Sequence, residues 1–244
     1  MNLSVTRATA LRVITQLRHD PRTIGMLVLV PTVLLVLLRY VFNQQQTFNR
    51  IAPMLLGLFP FIVMFLVASV GTLRERRSGT LERLMTMPMG KLDFLVGYGV
   101  AFGLIAMVQV AVVATVSFSL LGLTVAGDLW LLILVTILSA LLGTTLGLAV
   151  SAFARSEFQA VQFLPVFVLP QALLCGLFAP REEMARWLQI ISDVLPLTYA
   201  VDATVRITRS SAVSSELVKD LGITAGCILL ALTLGATTLR RRTE

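Results

Sequence analysis

Residues 129–153 read LWLLILVTILSALLGTTLGLAVSAF and contain no charged side chain. A helix that rises about 1.5 Å per residue needs roughly 20 apolar residues to cross a hydrocarbon layer of about 30 Å. The stretch is therefore long and apolar enough to span a membrane. We expect five further spans, none containing Asp, Glu or Lys, near residues 23–42, 51–73, 94–122, 158–179 and 221–239.

The composition excludes a soluble globular protein. Apolar residues make up 57% of the 244 residues, charged residues make up 14%, and the mean hydropathy is +0.88. A soluble core cannot absorb so much apolar surface, whereas a bilayer can. The first apolar run lacks a small-residue cleavage site, so we expect it to remain as a span and not to act as a secretory signal.

The basic residues predict the orientation of the chain. With the N-terminus in the cytoplasm, the cytoplasmic segments hold 13 of the 20 Lys and Arg residues. Loop 39–50 then holds two, the turn at 124–127 none, and the long segment 180–220 five. The positive-inside rule therefore predicts that both termini are cytoplasmic. Basic residues at span ends also account for the net charge of +7, so no nucleic-acid partner is expected.

The first 22 residues predict an amphipathic helix on the cytoplasmic face of the membrane. Four apolar residues repeat at helical spacing, namely Ala10, Val13, Ile14 and Leu17. Arg12, Gln16 and His19 are expected on the other side, while Arg7 and Arg18 flank the stripe and can reach anionic headgroups. Asp20 and Pro21 mark the end of the helix, because the residue before a proline is pushed out of helical geometry.

Residues 73–93, LRERRSGTLERLMTMPMGKLD, form the most charge-dense part of the chain. Gly79 predicts a break, and a short helix beginning near Thr80 would place Leu81, Leu84 and Met85 on one face. Pro88 limits the length of that helix. An apolar stripe that faces the cytosol or the inner headgroups usually binds a partner.

The segment after the fifth span predicts a second amphipathic element. Four prolines, at 165, 170, 180 and 196, interrupt this part of the chain. Within residues 181–195, helical spacing places Met184, Trp187, Leu188 and Ile191 on one face, with Glu182 and Glu183 in the first turn. Because tryptophan favours the membrane interface, we expect this element to dip into the outer leaflet.

Small residues in two spans predict close helix packing. The pairs Gly99 with Gly103 and Gly143 with Gly147 are each four residues apart, which lets helix backbones approach, and packing inside the subunit is favoured over a subunit interface. For Cys175 and Cys227, simple packing is favoured over a disulfide.

No enzymatic site is indicated. His19 is the single histidine, which is too few for a triad or a typical metal site, and Gly90-Lys91 is followed by Leu92 and is not a phosphate-binding loop. The charge-free spans also disfavour a carrier that is coupled to protons or sodium. Uncharged polar residues such as Gln109 and Gln162 either line a path or bond to neighbouring helices.

Two stretches carry a resemblance to a known family. Residues 75–88 read ERRSGTLERLMTMP. Residues 151–202 contain SAFARSEFQAVQ, WLQ and PLTYAVD, together with prolines at 165, 170 and 180. Together with the number of spans, they resemble the permeases of type-2 ATP-binding-cassette (ABC) exporters, which include daunorubicin-resistance and nodulation-factor exporters. The sequence departs from the family pattern at Ala185, where proline is frequent, and at Thr204, Val205 and Arg206.

The resemblance implies a single all-α type-2 ABC transmembrane domain over residues 1–244, with six transmembrane helices. Its segments are an interfacial helix (1–22), spans 1–2 (23–73), a cytoplasmic coupling loop (74–93), spans 3–5 (94–179), an external re-entrant segment (180–220), and span 6 with a basic tail (221–244). The implied ATPase-coupling residues are Glu75, Arg76, Gly79, Thr80, Leu81, Glu82, Leu84, Met85 and Pro88. The implied outer gate or re-entrant residues are Gly176, Pro180, Met184, Trp187, Leu188, Pro196 and Tyr199.

The resemblance also implies the partners. Two permease copies, or one copy and a paralogue, would dock two cytoplasmic ABC ATPase subunits that bind ATP and Mg, so this chain would bind no cofactor. The expected function is export of an amphipathic or lipophilic compound, such as a drug, antibiotic or lipid-like molecule, across the bacterial cytoplasmic membrane. The alternatives are export of a lipid-linked glycan and a membrane adaptor that anchors an ATPase for signalling.

Overall fold

The computed structural model of the chain describes residues 3–78 and 91–238. Within these residues the regular structure is helical, and one π-helical turn, Leu164–Val168, and one 3-10 turn, Arg181–Glu183, interrupt the series. The α-helices are α1 (Leu3–Arg18), α2 (Pro21–Phe42), α3 (Gln45–Arg77), α4 (Lys91–Ser119), α5 (Leu129–Ser151), α6 (Glu157–Phe163), α7 (Leu169–Leu174), α8 (Arg186–Val194), α9 (Pro196–Arg209) and α10 (Ser215–Thr238).

Six segments are long and apolar enough to cross a membrane, which confirms the predicted number and order of spans. They are α2, α3, α4, α5, the combined segment Glu157–Leu174, and α10. The fifth span ends at Leu174 and not near residue 179, because the chain turns at Gly176, whose φ of +91° suits a residue without Cβ. Pro165 lies in the π-helical turn, where the wider coil accommodates a ring that would clash in an α-helix.

The two ends of the helical bundle are named here after the elements that mark them. The α1 end contains α1, the last turn of α3 and the first turns of α4 and α6. The α8 end contains α8, α9 and the first turns of α3, α5 and α10. Because the chain crosses the bundle six times, the first and the last of its described residues lie at the same end, the α1 end. Gly235 of α10 packs there beside Leu95 and Ala149.

The core is built on close packing between α3 and α5. A Cβ at Gly143 would lie 2.2 Å from the carbonyl oxygen of Phe61, and one at Gly147 would lie 2.4 Å from that of Phe65. At the same seam, Ser139 Oγ donates a hydrogen bond of 2.6 Å to the carbonyl of Gly57. The predicted small-residue packing inside the subunit is thus confirmed for this pair of glycines.

Of the two glycines predicted to pack closely in the third span, α4, one approaches another helix and the other does not. Gly103 approaches Leu141 of α5, whereas a Cβ at Gly99 would meet nothing within 4 Å. Both Cys175 and Cys227 are free, and Cys175 lies just beyond the end of α7 and not inside a span.

Helix α1 packs against the protein along its buried face. Gly97 of α4 allows this approach, since a Cβ there would lie 2.8 Å from Cβ of Thr9. Ala10 and Val13 are buried, as the predicted apolar stripe requires. Arg12 was predicted on the other side of α1 from this stripe; its side chain is half-buried and pairs with Glu75 at the end of α3.

The region after Gly176 differs most from expectation. The predicted single element at 181–195 is divided: Glu182 and Glu183 lie in the 3-10 turn, before α8 and not in its first turn. The following helix α9 was not predicted. Its Val201 and Thr204 pack against Gly57 of α3, so a segment described from the sequence only as external is part of the core.

Candidate functional site

The last turn of α3 carries four consecutive charged residues, Arg74, Glu75, Arg76 and Arg77, at the α1 end. Both carboxylate oxygens of Glu75 accept hydrogen bonds from Arg12 Nη2 of α1, at 2.8 and 2.7 Å. The same nitrogen lies 2.8 Å from the hydroxyl oxygen of Tyr98 in α4. The Glu75 side chain is only 7% exposed, so this ion pair is largely shielded from water.

The two flanking arginines reach two further helices. Arg76 Nη1 donates a hydrogen bond of 2.7 Å to the carbonyl of Ser151, the last residue of α5. Arg74 forms a two-pronged pair with Glu157, the first residue of α6, with both distances at 3.0 Å. We call Arg74, Glu75 and Arg76 with these partners the α3 junction. It bonds the end of α3 directly to α1, α5 and α6, and Arg12 extends the network from α1 to α4.

The α3 junction immediately precedes the predicted coupling helix. The cap residue Ser78 donates its backbone N–H to the carbonyl of Arg74 and is the last described residue before the gap. Of the nine predicted coupling residues, Glu75 and Arg76 are placed, and both side chains bond within the chain. The other seven, Gly79, Thr80, Leu81, Glu82, Leu84, Met85 and Pro88, lie outside the described residues, so their coupling role stays a prediction.

Sequence reasoning did not find the partners of this junction. Arg12 was placed only on the side of α1 away from its apolar stripe, without a partner, and Tyr98 and Glu157 were not singled out. The one available signal was a run of opposite charges at a span end, which predicts pairing but does not identify a partner 63 or more positions away.

At the α8 end, Arg181 is held by two carboxylates. Its Nη1 lies 2.7 Å from Oδ2 of Asp202, and its Nη2 pairs with Asp193. Burial raises the pKa of Asp202 to about 6, although the Arg181 guanidinium opposes this shift. Because Arg181 lies in the turn before α8 while Asp202 lies in α9, the two ion pairs tie this turn to both helices.

A second arginine joins α9 to the last span. Arg206 Nε lies 2.9 Å from Oδ2 of Asp220, and Arg206 also pairs with Glu216. Both carboxylates belong to the first turns of α10. Each of the two arginines Arg181 and Arg206 is therefore matched by two carboxylates.

Helices α8 and α9 form a hairpin that is fixed to the end of α7. Ser192 Oγ donates to the carbonyl of Leu174 at 2.8 Å, and Thr198 Oγ1 donates to the carbonyl of Ser192 at 2.9 Å. The backbone N–H of Leu197 donates to Gln171 Oε1 at 3.3 Å. The turn of the hairpin thus lies beside a residue inside the fifth span.

The predicted gate residues lie partly in this hairpin and partly in the chain segment that precedes it. Tyr199 donates its hydroxyl to the carbonyl of Asp193 at 2.5 Å, and Pro196 begins α9. Met184 and Leu188 are half-buried. Gly176 and Pro180 line an open cleft, while Trp187 lies on the surface. Their role as a gate stays a prediction.

The exposed face of α8 is apolar. Trp187, Ile190, Ile191 and Val194 follow helical spacing, and their exposed fractions are 63%, 56%, 43% and 76%. The predicted face included Trp187 and Ile191 but also Met184, which precedes the helix. A face of this composition fits lipid or another protein surface better than water.

A cleft of about 1210 Å³ opens beside the hairpin at the α8 end. Its walls come from the first turns of α3, from the chain between α7 and α8, and from α9 with the loop that follows it. The lining combines apolar side chains such as Ile51 and Met54 with four arginines, Arg50, Arg181, Arg206 and Arg209.

Comparison with known proteins identifies related chains. The family model described as "ABC-2 type transporter" matches residues 5–208. The probable multidrug ABC transporter permease YbhR of Escherichia coli (strain K12) is 28% identical over 157 residues, which are 64% of this chain and 43% of the relative. The linearmycin resistance permease protein LnrN of Bacillus subtilis (strain 168) is 23% identical over 181 residues, 74% of this chain and 47% of the relative.

The inner membrane transport permease YhhJ of Escherichia coli (strain K12) is 30% identical over 144 residues, 57% of this chain and 38% of the relative. The match spans less than half of each of these three relatives.

Proposed function

Because the chain belongs to the ABC-2 type transporter family, we propose that it is the membrane-spanning permease subunit of an ATP-driven exporter. Its cargo is an amphipathic or lipophilic compound. Two observations support this cargo class: the printed names of two relatives refer to multidrug transport and linearmycin resistance, and the sequence of the six spans offers no Asp, Glu or Lys in their central parts to hold a small ion.

The α3 junction is the observation that carries the proposal. A loop that only joins two spans needs no network that bonds the preceding helix end to three other helices and, through Arg12, to a fourth. In an exporter, a displacement of residues 79–90 would pass through Ser78 to α3 and from there to α1, α4, α5 and α6. Coupled rigid-body movement of packed helices is one of the known routes by which proteins switch between two states.

The proposed orientation places the α1 end in the cytoplasm. The excess of basic residues near that end supports this direction. Residues 79–90 then face the cytosol, where Leu81, Leu84 and Met85 would enter a groove on an ABC ATPase. The α8–α9 hairpin, with Trp187 on its apolar face, would lie in the outer leaflet and control the exit of the cargo.

The proposed complex contains two ATPase subunits and two permease subunits, the second being either another copy or a paralogue. ATP and Mg are bound by the ATPases. The large apolar surface left on α2 and α10 of the isolated chain is compatible with contact to lipid and to a second permease. The proposed location is the bacterial cytoplasmic membrane, as for the inner membrane relative from Escherichia coli.

The test replaces one residue of the predicted coupling helix. Leu84→Asp would force an unpaired carboxylate into the ATPase groove and remove a buried leucine, which is worth about 1.5–3 kcal/mol before the desolvation penalty. We expect the variant to insert normally in the membrane but to lose both co-purification of the tagged ATPase and ATP-dependent uptake of a lipophilic dye into inside-out vesicles. Glu82→Ala, on the polar face of the same helix, should reduce binding less than Leu84→Asp if the role of Glu82 is solvation, and comparably if it pairs with a basic group of the ATPase.

Three results separate the alternatives. Full retention of the ATPase by Leu84→Asp would show that residues 80–88 are not the docking element. ATP hydrolysis without transport of any amphiphile by the wild-type complex would favour an adaptor. Transport of a lipid-linked glycan but not of the dye would move the cargo to the glycan class.

A further inference from the structure

The lining of the cleft at the α8 end has an apolar part, called the apolar floor here, and a polar part. Ile51, Met54, Leu177 and Phe178 supply apolar surface, and the volume of about 1210 Å³ is larger than the roughly 300–1,000 Å³ of a typical small-molecule pocket. Thr47, Asn49 and Ser210 stand among the polar residues that line it. This division suits a ligand with a long apolar part and a polar head.

The four arginines of the cleft are not equivalent. Arg181 and Arg206 are each paired with two carboxylates, so neither has positive charge to spare. Arg50 and Arg209 are exposed and make no ion pair with any residue that the structure describes. Arg50 and Arg209 are therefore the arginines of the lining that have no carboxylate partner among the described residues, and Glu182 is a further carboxylate of the same lining.

One loop brings the two uncompensated arginines to the same side of the cleft. Asn49, which precedes Arg50, donates through Nδ2 to Thr124 Oγ1 at 2.7 Å. Two residues further along the same loop, Ala126 N–H donates at 3.1 Å to the carbonyl of Thr208, which precedes Arg209. The loop between α4 and α5 therefore contacts the residue that precedes each arginine.

We propose that this cleft binds an anionic phospholipid, with the phosphate against Arg50 and Arg209 and an acyl chain along the apolar floor. Each arginine guanidinium can donate two hydrogen bonds to one phosphate group. This geometry favours a phosphate over an uncharged lipid headgroup. Arginines near a membrane surface also attract anionic lipids electrostatically. The proposal rests on the cleft alone and does not depend on the export function or on the orientation of the chain.

Native mass spectrometry of the detergent-purified full chain measures this binding directly. Phosphatidylglycerol is titrated against the wild type and against Arg50→Ala/Arg209→Ala, and phosphatidylcholine and inorganic phosphate serve as comparison ligands. At roughly tenfold in affinity for every 1.4 kcal/mol, loss of two arginines is expected to weaken phosphatidylglycerol binding about thirtyfold. Phosphatidylcholine should bind the wild type about tenfold more weakly than phosphatidylglycerol.

Two further variants keep the test independent of folding and of total charge. Arg186→Ala/Lys219→Ala removes the same charge from exposed positions at the α8 end outside the cleft, and its affinity should stay within about threefold of the wild type. Arg50→Lys/Arg209→Lys restores the charge and should recover most of the binding.

Three outcomes would overturn the proposal. Equal losses in the cleft and control variants would show that only net charge matters. Unchanged binding by Arg50→Ala/Arg209→Ala would remove the assigned headgroup site. Displacement of phosphatidylglycerol by inorganic phosphate at similar concentration would show that the apolar floor contributes nothing.

Discussion

The two ends of the bundle use arginine–carboxylate pairs in different ways. At the α1 end, the pairs join helices that lie 63 and 83 positions apart in the chain, and each carboxylate has one arginine. At the α8 end, the pairs span 10 to 21 positions, and each arginine has two carboxylates. The first arrangement links distant helices into one unit, whereas the second fixes a local hairpin to its neighbours in sequence.

The difference between the two ends affects which helices can move together. A displacement at the α1 end is transmitted to several spans, because α3 cannot move there without breaking bonds to three other helices. At the α8 end, α9 is packed in the core, and the exposed helix α8 can change position only if the pairs at Arg181 rearrange. Three experiments test whether the two ends differ in this way.

The largest effect is expected at the α1 end from Arg12→Ala. The variant leaves the buried Glu75 carboxylate without its partner, and breaking a buried pair from one side typically costs about 3–5 kcal/mol. We expect a corresponding loss of thermal stability in detergent, measured from the helical circular dichroism signal. The double variant Arg12→Ala/Glu75→Gln removes the orphaned charge and should recover much of the loss; if it is no more stable than Arg12→Ala, the ion pair is not the cause.

An intermediate effect is expected at the α8 end from the titration of Asp202. Its pKa of about 6 in the folded chain exceeds the usual 3.8, so between these values the folded state binds more protons than the unfolded state. Stability should therefore be highest below about pH 4 and decrease as pH rises to about 6, by at most about 3 kcal/mol. The side chain remains 25% exposed, so solvent screening reduces this upper bound.

Asp202→Asn provides the measurement, because it cannot titrate. The difference in thermal stability between wild type and variant, followed from about pH 4 to pH 7, should change in favour of the variant as pH increases. A constant difference over this range would contradict the assignment of the titration to Asp202.

The smallest effect is expected for the exposed pair of the α3 junction. Arg74 and Glu157 are 60% and 45% exposed, and such pairs contribute about 0.2–1 kcal/mol. A double-mutant cycle with Arg74→Ala and Glu157→Ala should give a coupling energy in this range. A value above about 2 kcal/mol would show that the pair is shielded in the functional complex, since exposed pairs do not reach it.

The comparison also shows where sequence-based reasoning succeeds. The six spans were predicted because length and hydropathy are properties of contiguous residues, and the small-residue pairing at Gly143 and Gly147 was recognised because their spacing lies within one helix. The break at Asp20-Pro21 was equally local: α1 ends at Arg18, and Asp20 caps α2 by accepting a hydrogen bond from the Thr23 N–H.

Helix α9 was missed for a physical reason. Its buried face mixes Thr198 and Thr204 with Leu197 and Val201, so its hydropathy does not resemble that of a core helix. These threonines satisfy their hydroxyls locally, as Thr204 does by donating to the carbonyl of Val201 at 2.7 Å. Burial was therefore possible without a strongly apolar sequence.

That this chain is a six-span helical membrane protein of the ABC-2 type follows from its sequence alone, because the signals for spans and family motifs lie in contiguous residues. The pairing of Arg12 with Glu75, and the position of Arg50 and Arg209 in one cleft, depend on the tertiary structure. Such pairings depend on the rotation and depth of each helix. These are set by packing between segments that are distant in the chain, and no local pattern encodes them.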